Sequence, residues 1–281
     1  MSFFGLCKQD PLVNTLRDTF GANPVRVPEE RIQPLCAVAA RGDRTVFRGA
    51  LEPLLTGSQR FSIPKWARAK SLMADLSNKQ SRSVELDLGI SILSSFLTGF
   101  GIPSIGIESS FKGATEVAFS FSSVHRDWID DNWLGRALIG RALDLQNSSA
   151  RLYTQKPRWD LLLIDSVITS NQFTISITKS QADSFALNVP AIQALVGAAK
   201  AKVKVKSAGS RRVTFQGPNA LTFAFTTVHL FVDSNGVILA TPPGGDSTVL
   251  SLATENRVPT YGLDHVELSE TAAMVQWDEI G

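Results

Sequence analysis

The chain is poor in the residues that build metal centres and disulfide scaffolds. It has two cysteines and three histidines among 281 residues. Two cysteines exclude a disulfide-stapled scaffold and a four-cysteine zinc site, and three histidines leave little room for a multi-histidine metal centre. We therefore expect neither a metal nor a cofactor.

Familiar enzyme motifs are also missing. The sequence has no GxxxxGK(S/T) phosphate loop, no HExxH, no CxxC and no GxSxG. Gly99-Phe-Gly101 begins like a dinucleotide loop, but Pro103 stands where a helix should start, so a hairpin tip is favoured. We expect no catalytic residues.

The nearest approach to an acid–base pair is His125-Arg126-Asp127. Neighbouring residues of an extended segment point to opposite faces, so a loop histidine before a helix is the favoured interpretation. A soluble α+β enzyme with an unrecognised active site near His125 and Asp127 stays as an alternative. A second alternative is a non-enzymatic interaction module with an acidic regulatory tail.

The N-terminus lacks the features of a secretory signal. Residues 1–9 have no basic region and only a short apolar stretch, which predicts a cytoplasmic protein. Hydrophobic residues make up 43% and charged residues 19% of the chain, an ordinary globular composition that excludes disorder. The length fits one large domain or two small ones.

Basic residues are absent from the last part of the chain. All 28 Lys and Arg lie at or before Arg257, whereas five of the 26 Asp and Glu follow it. The first 257 residues therefore carry +7 and the last 24 carry −5. A basic body with an acidic tail suggests an anionic partner that the tail masks, although a solvated acidic terminus would have the same charges.

Hydrophobic periodicity predicts an α+β fold with a mostly antiparallel, twisted sheet and peripheral helices. A turn at residues 41–44 predicts a hairpin, and Asn235-Gly236 predicts another. Helices are predicted at 10–21, 65–76, 130–146 and 188–201, and strands at 35–40, 45–47, 84–92, 117–122, 161–168, 172–178, 202–206, 212–216 and 221–232.

An uncharged run over residues 89–107 is long enough for a membrane helix, but we reject that interpretation. Its 19 residues include four glycines, four serines and a proline, and much of the run alternates. Alternating runs of about ten residues also have the length of tilted membrane β-strands. Any half-exposed antiparallel sheet alternates in the same way, so the pattern alone is weak evidence.

Several local motifs occur together near the N-terminus. A short amphipathic helix precedes Asn23-Pro24-Val25, then an apolar strand over residues 32–38, and then Thr45-Val-Phe-Arg-Gly-Ala50 after a basic turn. This order resembles the opening of the gasdermin pore-forming domain, with detailed similarity over about residues 10–55. Beyond that point only the layout of two alternating hairpin regions agrees.

The resemblance implies an autoinhibited pore-forming protein of the compact bacterial type. A pore-forming domain at residues 1–257 would be held inactive by a peptide at residues 258–281 until a protease removes it. The protein would be a cytoplasmic monomer before cleavage and a homo-oligomer in the inner membrane afterwards, causing cell death in antiphage defence. Expected partners are the protease and anionic membrane lipids, with no nucleic acid.

The resemblance also implies S-palmitoylation of Cys7, which lies in an apolar setting, while Cys36 is expected in the core. Cleavage is predicted around Arg257, within Thr254, Glu255, Asn256, Arg257 and Val258.

The basic residues predicted to contact lipid are Lys8, Arg17, Arg41 and Arg44. Two hairpins are predicted to form membrane strands, through Val84, Leu86, Leu88, Ile90, Val117, Phe119, Phe121, Phe173, Ile175, Val203 and Val205. The tail is predicted to dock through the side chains of Tyr261, Leu263, Val266, Leu268, Met274 and Trp277.

Overall fold

Two long antiparallel strands run through the middle of the molecule: β8 (Asp160–Ser180) and β10 (Arg212–Val232), with 21 residues each. They pair along most of their length, from Arg212 opposite Ser176 to Leu230 opposite Leu161. The computed structural model describes residues 17, 20–57, 63–73, 84–103, 106–181, 186–199, 202–239, 266, 268 and 275–278.

Shorter strands extend this central pair on both sides: β1 (Asn23–Glu29), β2 (Cys36–Arg41), β3 (Arg44–Ala50), β4 (Arg68–Leu72), β5 (Val84–Glu85), β6 (Ala114–Ser122), β7 (His125–Ile129), β9 (Lys204–Ser207) and β11 (Ile238–Leu239). The pairs among these numbered strands are antiparallel. At one end the order is β1–β10–β8–β2–β3, while β6 and β7 pair with β8 further along and carry β5 and β4.

Helices lie at the periphery, which confirms the predicted fold class. They are α1 (Leu86–Gly99), α2 (Asp131–Leu138), α3 (Ser148–Arg151) and α4 (Val189–Ala198), with 3₁₀ turns at Glu52–Leu54, Lys65–Ala67 and Ile107–Phe111. Local capping explains their starts: the Asp130 side chain accepts the Trp133 N–H, and the Asn188 side chain accepts the Ala191 N–H. Among the residues that the structure describes, no helix combines the length and apolar character needed to span a bilayer.

Around β6, residues 172–177 of β8 and residues 213–215 of β10, one face of the sheet is apolar and is covered by α1 and α4. Phe121 on β6, Phe173 on β8 and Phe215 on β10 are at most 1% exposed. The opposite face of the same strands is polar, with Thr174 and Thr214 joined by a 2.8 Å hydroxyl hydrogen bond. This part of the sheet is therefore amphipathic, and its apolar face is covered by helices of the same chain, whereas residues 161–168 of β8 are buried on both faces.

The strand predicted at 84–92 is confirmed only at Val84–Glu85 and is wrong from Leu86 onwards, where the chain forms α1. Apolar residues in this run satisfy both periods: Ile90, Leu93 and Leu97 also recur at helical spacing and are buried. The helix passes so close to β1 that a Cβ atom at Gly99 would collide with the Pro28 carbonyl oxygen. Packing over the sheet decides what the local pattern leaves ambiguous.

The basic helix predicted at 65–76 is also wrong in its described part. A 3₁₀ turn at Lys65–Ala67 is followed by β4, whose alternating exposure and pairing with β7 are those of an edge strand. The helix predicted at 130–146 ends at Leu138, just before Gly140 adopts a positive φ of 78°. Each pair of strands predicted at 161–178 and 212–232 is a single strand.

Candidate functional site

Close to the C-terminus, Val275 pairs with β1 through a single β-bridge. The Val275 N–H donates to the Pro24 carbonyl at 2.7 Å, and the Arg26 N–H donates to the Val275 carbonyl at 2.9 Å. This parallel pairing is centred on Val25, and Val275 is only 3% exposed. The segment thus occupies main-chain groups that β1 would otherwise present at an open edge.

The next three residues continue from β1 to β3. The Thr45 hydroxyl donates to the Gln276 carbonyl at 2.9 Å, and the Asp278 N–H donates to the Thr45 carbonyl at 2.8 Å. Between them, the Trp277 ring stacks on Phe225 and contacts Phe47, with both centroid distances at 5.6 Å. Since β1 and β3 end the strand order, residues 275–278 connect the two ends of this part of the sheet.

A second anchor precedes this one and is built around Asn23, which is completely buried. Its Oδ1 accepts the Leu268 N–H at 2.7 Å, and its Nδ2 donates to the Val266 carbonyl at 3.1 Å. Thr227 also binds Val266: its carbonyl accepts the Val266 N–H at 2.9 Å, and its hydroxyl donates to the Val266 carbonyl at 3.1 Å. Both ends of the Asn23 amide are therefore committed to the C-terminal segment.

The surface of β1, β3 and β10 that binds residues 275–278 is called the seat below. Charged side chains line its outside. Arg26 Nη1 donates to the Gln276 side-chain oxygen at 2.5 Å, and the Arg44 guanidinium lies 3.5 Å from the Asp278 carboxylate. The Arg44 and Asp278 side chains are 44% and 39% exposed, so this pair contributes little stability. It does bring the acidic tail onto the basic hairpin tip.

Two of the predicted lipid contacts, Arg41 and Arg44, lie together at the tip of the β2–β3 hairpin. Both guanidinium groups lie over the Trp159 ring, at 4.7 and 5.6 Å from its centroid. Arg17 is helical, and the Gly21 N–H donates to its carbonyl at 2.8 Å. Lys8 lies outside the described residues.

Most described residues of the predicted membrane strands are now in the core. Phe119 pairs opposite Ile175 and Phe121 opposite Phe173, while Val117 is fully buried beside them. Ile90 is also buried, but on α1 rather than on a strand. Val84 lies in β5, Leu86 and Leu88 lie in α1, Val203 precedes β9, and Val205 lies within it.

Some predicted sites lie outside the described residues. They are Cys7, the cleavage region Thr254, Glu255, Asn256, Arg257 and Val258, and the tail residues Tyr261, Leu263 and Met274. Of the predicted tail contacts, Val266, Leu268 and Trp277 are described, and they pack on a cluster formed by β1, β2, β8 and β10.

His125 and Asp127 do not form an acid–base pair. His125 lies on β7 rather than in a loop, and its Nδ1 is 2.9 Å from the Ser123 carbonyl oxygen. Asp127 binds Arg68 through two hydrogen bonds, of 2.7 and 3.0 Å, which raise the pKa of Arg68. A cavity of about 250 Å³ nearby is lined by Arg126 and Asp165, but neither His125 nor Asp127 lines it.

Most of the chain matches a known protein family. The model of the Bacterial Gasdermin Family matches residues 25–237 of this chain. The chain belongs to the bacterial gasdermin family. This places it among pore-forming effectors rather than among known enzymes.

Individual gasdermins give the same result. The gasdermin of Vitiosangium sp. is 33% identical over 250 residues, covering 89% of this chain and 91% of that protein. One from a Desulfuromonadales bacterium is 29% identical over 262 residues, covering 91% and 93%. A solved bacterial gasdermin from Bradyrhizobium tropiciagri shares the fold at a TM-score of 0.57 and 16% identity, covering 82% of this chain and 90% of that one.

The gasdermin likeness therefore extends well beyond the 10–55 region that the sequence motifs indicated. Sequence reasoning missed the residues that receive the tail, above all Asn23, Thr45, Phe225 and Thr227. One signal was present: Asn23 is a polar residue within the Asn23-Pro24-Val25 motif that resembles gasdermins. A buried amide requires hydrogen-bond partners, but the sequence does not say where they are.

Burial makes Cys36 of this gasdermin an unreactive thiol. The residue is 7% exposed, and desolvation raises the pKa of its thiol. In a Cys7→Ser variant, we therefore expect almost no reaction of Cys36 with a maleimide in the folded protein and a single label per chain after unfolding. Intact mass measures both; rapid labelling of the folded protein would contradict the packing of β2.

Proposed function

We propose that this gasdermin is an autoinhibited pore-forming protein whose residues 258–281 keep residues 1–257 inactive until a protease separates them. The seat of residues 275–278 between β1 and β3 is the observation that supports this most strongly. A segment that joins two ends of a sheet restrains both from moving apart. Its removal leaves main-chain groups of both strands without those partners.

Charge supports the same proposal. A cut near Arg257 separates a body of +7 from a peptide of −5. Removing the peptide therefore raises the attraction of the body for anionic lipid. It also frees Arg44 of the Asp278 carboxylate beside the hairpin tip.

The amphipathic sheet supplies the material for membrane strands. The apolar faces of β6 and β8 are covered by α1 and α4, and their other faces carry serine and threonine. Replacing these helices with lipid would satisfy the same apolar side chains, with the polar face towards a lumen. Residues 84–93 with 115–124, and 172–179 with 202–216, would form the two hairpins, so α1 would refold from helix to strand.

Backbone groups in hydrocarbon must all be paired, so the inserted strands of several copies would have to close into a ring. We place this homo-oligomer in the inner membrane and its monomeric precursor in the cytoplasm. Membrane permeabilisation would kill the cell, which suits a role in antiphage defence. The activating protease would be the partner that couples infection to the cut.

The test is dye release from liposomes by a chain that carries a site-specific protease sequence at residues 254–258. We expect no dye release before cleavage, and dye release when the cleaved protein is diluted into vesicles rich in anionic lipid but not into neutral ones. The same chain without the inserted site is the control. Cleavage that leaves anionic vesicles intact would instead favour an interaction module with a regulatory tail.

Reversal of the hairpin-tip charges is expected to weaken membrane binding after cleavage. Each near-surface charge contributes about 1 kcal/mol on an anionic bilayer, so Arg41→Glu with Arg44→Glu should weaken vesicle binding roughly 30-fold or more. Vesicle co-sedimentation at physiological salt measures this. Arg136→Glu with Arg151→Glu makes the same change in net charge at exposed sites elsewhere; equal loss in both double variants would show that only total charge matters.

Acylation of Cys7 remains a prediction from the sequence and the family likeness. We expect intact mass of protein from its native host to show a palmitoyl group that disappears in Cys7→Ser but not in Cys36→Ser. A buried acyl chain contributes about 0.8 kcal/mol per CH₂, so its loss should weaken membrane association. Unmodified Cys7 in host-derived protein would refute this.

A further inference from the structure

The described contacts of the tail all lie beyond the predicted cleavage region. Cleavage is expected around residues 254–258, whereas the described hydrogen bonds of the tail are made by residues 266, 268, 275, 276 and 278. A cut at Arg257 breaks none of these bonds. It changes only whether the two partners are covalently joined.

The seat has the features of a peptide-binding site. An extended ligand gains affinity from main-chain hydrogen bonds to β1 and β3. It gains specificity from a pocket that receives every second side chain. That pocket holds the Trp277 ring against Phe225 and Phe47. The residues that receive the ligand are Asn23, Arg26, Thr45, Phe47, Phe225 and Thr227.

From this we infer that the seat is a peptide-binding groove in its own right, selective for an extended segment of the form Val-x-Trp, and that it retains the tail peptide after the cut. On the proposed function, on which this second part rests, release of the peptide rather than cleavage is the activating step. Free tail peptide then acts as an inhibitor in trans.

Asn23 makes the empty groove less stable than the occupied one. Its amide is fully buried and makes three hydrogen bonds, of which those to Val266 and Leu268 are lost when the peptide leaves. Leaving a buried donor and acceptor without partners is costly. An empty groove is therefore an unfavourable state until solvent or another segment reaches the amide.

Before the cut, covalent attachment keeps the tail in the groove, so its intrinsic affinity for the body does not show. A tethered peptide acts at a high effective concentration, so the groove stays filled even if its intrinsic affinity is modest. After the cut, occupancy depends on the concentration of the protein itself. Activation is then expected to rise on dilution, and to fall when free peptide is added.

Retention is tested without membranes, using the full chain with a site-specific protease sequence at residues 254–258. After complete cleavage, size exclusion with intact-mass detection should find the peptide co-eluting with the body at micromolar concentration. Trp277→Ala removes the aromatic anchor without altering the body, and it should weaken retention at least about 30-fold. Immediate loss of the wild-type peptide, or equal retention of the Trp277→Ala peptide, would overturn the inference.

Asn23 is tested from the other side of the groove. Asn23→Asp keeps the size of the side chain but cannot donate to the Val266 carbonyl, so it should weaken retention of the wild-type peptide about tenfold. Asn132→Asp makes the same chemical change at an exposed position of α2 and should leave retention unchanged. Equal retention in the two variants would remove Asn23 from the groove.

A second arm links retention to activity. A synthetic peptide of residues 263–281 in excess should slow dye release by the cleaved protein, and its Trp277→Ala version should not. Peptide that is retained from a protein that never releases dye would support the groove while refuting the pore proposal. If the peptide is lost at once from a protein that does release dye, the pore proposal is supported and the peptide-binding groove is refuted.

Discussion

A stop codon after Arg257 is expected to make the protein toxic to the cell that expresses it. The truncation removes every described tail contact, including those of Val275 with β1 and of Asp278 with β3. It also leaves the body with +7 and no acidic peptide to offset it. Viable counts after induction should fall by several orders of magnitude, and the purified protein should release dye from anionic vesicles without a protease.

A matched control is a stop codon after Asp278, which removes residues 279–281 and keeps the described anchors. This variant should be as harmless as the full chain. If the chain truncated after Arg257 accumulates as a folded, inert protein, the tail has no inhibitory role. If both truncations are toxic, the last three residues contribute to inhibition as well.

The second large effect concerns the amphipathic sheet. Phe119→Asp should destabilise the resting chain by about 5 kcal/mol or more, because it creates a cavity and buries an unpaired charge. Phe119 is 3% exposed, opposite Ile175 and within the cluster under α1. Ser120→Asp, at a half-exposed position on the other face, should change stability little.

Denaturant unfolding of both variants measures the difference. A loss of this size is comparable with the whole stability of many domains, so Phe119→Asp should fail to accumulate as folded protein. Phe119→Leu keeps the position apolar and should preserve dye release after cleavage despite a modest loss of stability. If Phe119→Leu folds but cannot release dye, the need at this position is for an aromatic ring and not for an apolar face.

Local signals predicted the elements that depend on local chemistry. The β2–β3 hairpin follows from the Arg41-Gly-Asp-Arg44 turn, in which Gly42 adopts a positive φ of 61°. The start of α4 follows from Asn188 and Pro190. In both cases the residues that determine the structure are within a few positions of each other.

Elements that depend on distant partners were predicted poorly. Residues 84–92 fit a strand as well as a helix, and the packing of α1 over β6 and β8, seen at Ile90, Leu93 and Phe96, determines the helix. Residues 68–72 form a strand because β7 pairs with them. The tail follows the same rule: its charge and apolar residues indicated a role, but its register on β1 and β3 depends on residues more than two hundred positions away.

In the described part of the tail, backbone groups make most of the hydrogen bonds to the body, so side-chain identity is demanded chiefly at Val275 and Trp277. Val266, Leu268, Val275 and Asp278 each present an N–H to the body, a group that any residue except proline supplies. The strongest demand on side-chain identity falls on Trp277. A different protease recognition sequence upstream of residue 266 would leave these bonds unaltered. Under the proposed activation by cleavage, one scaffold could then respond to proteases of quite different specificity, whether through evolution or by design.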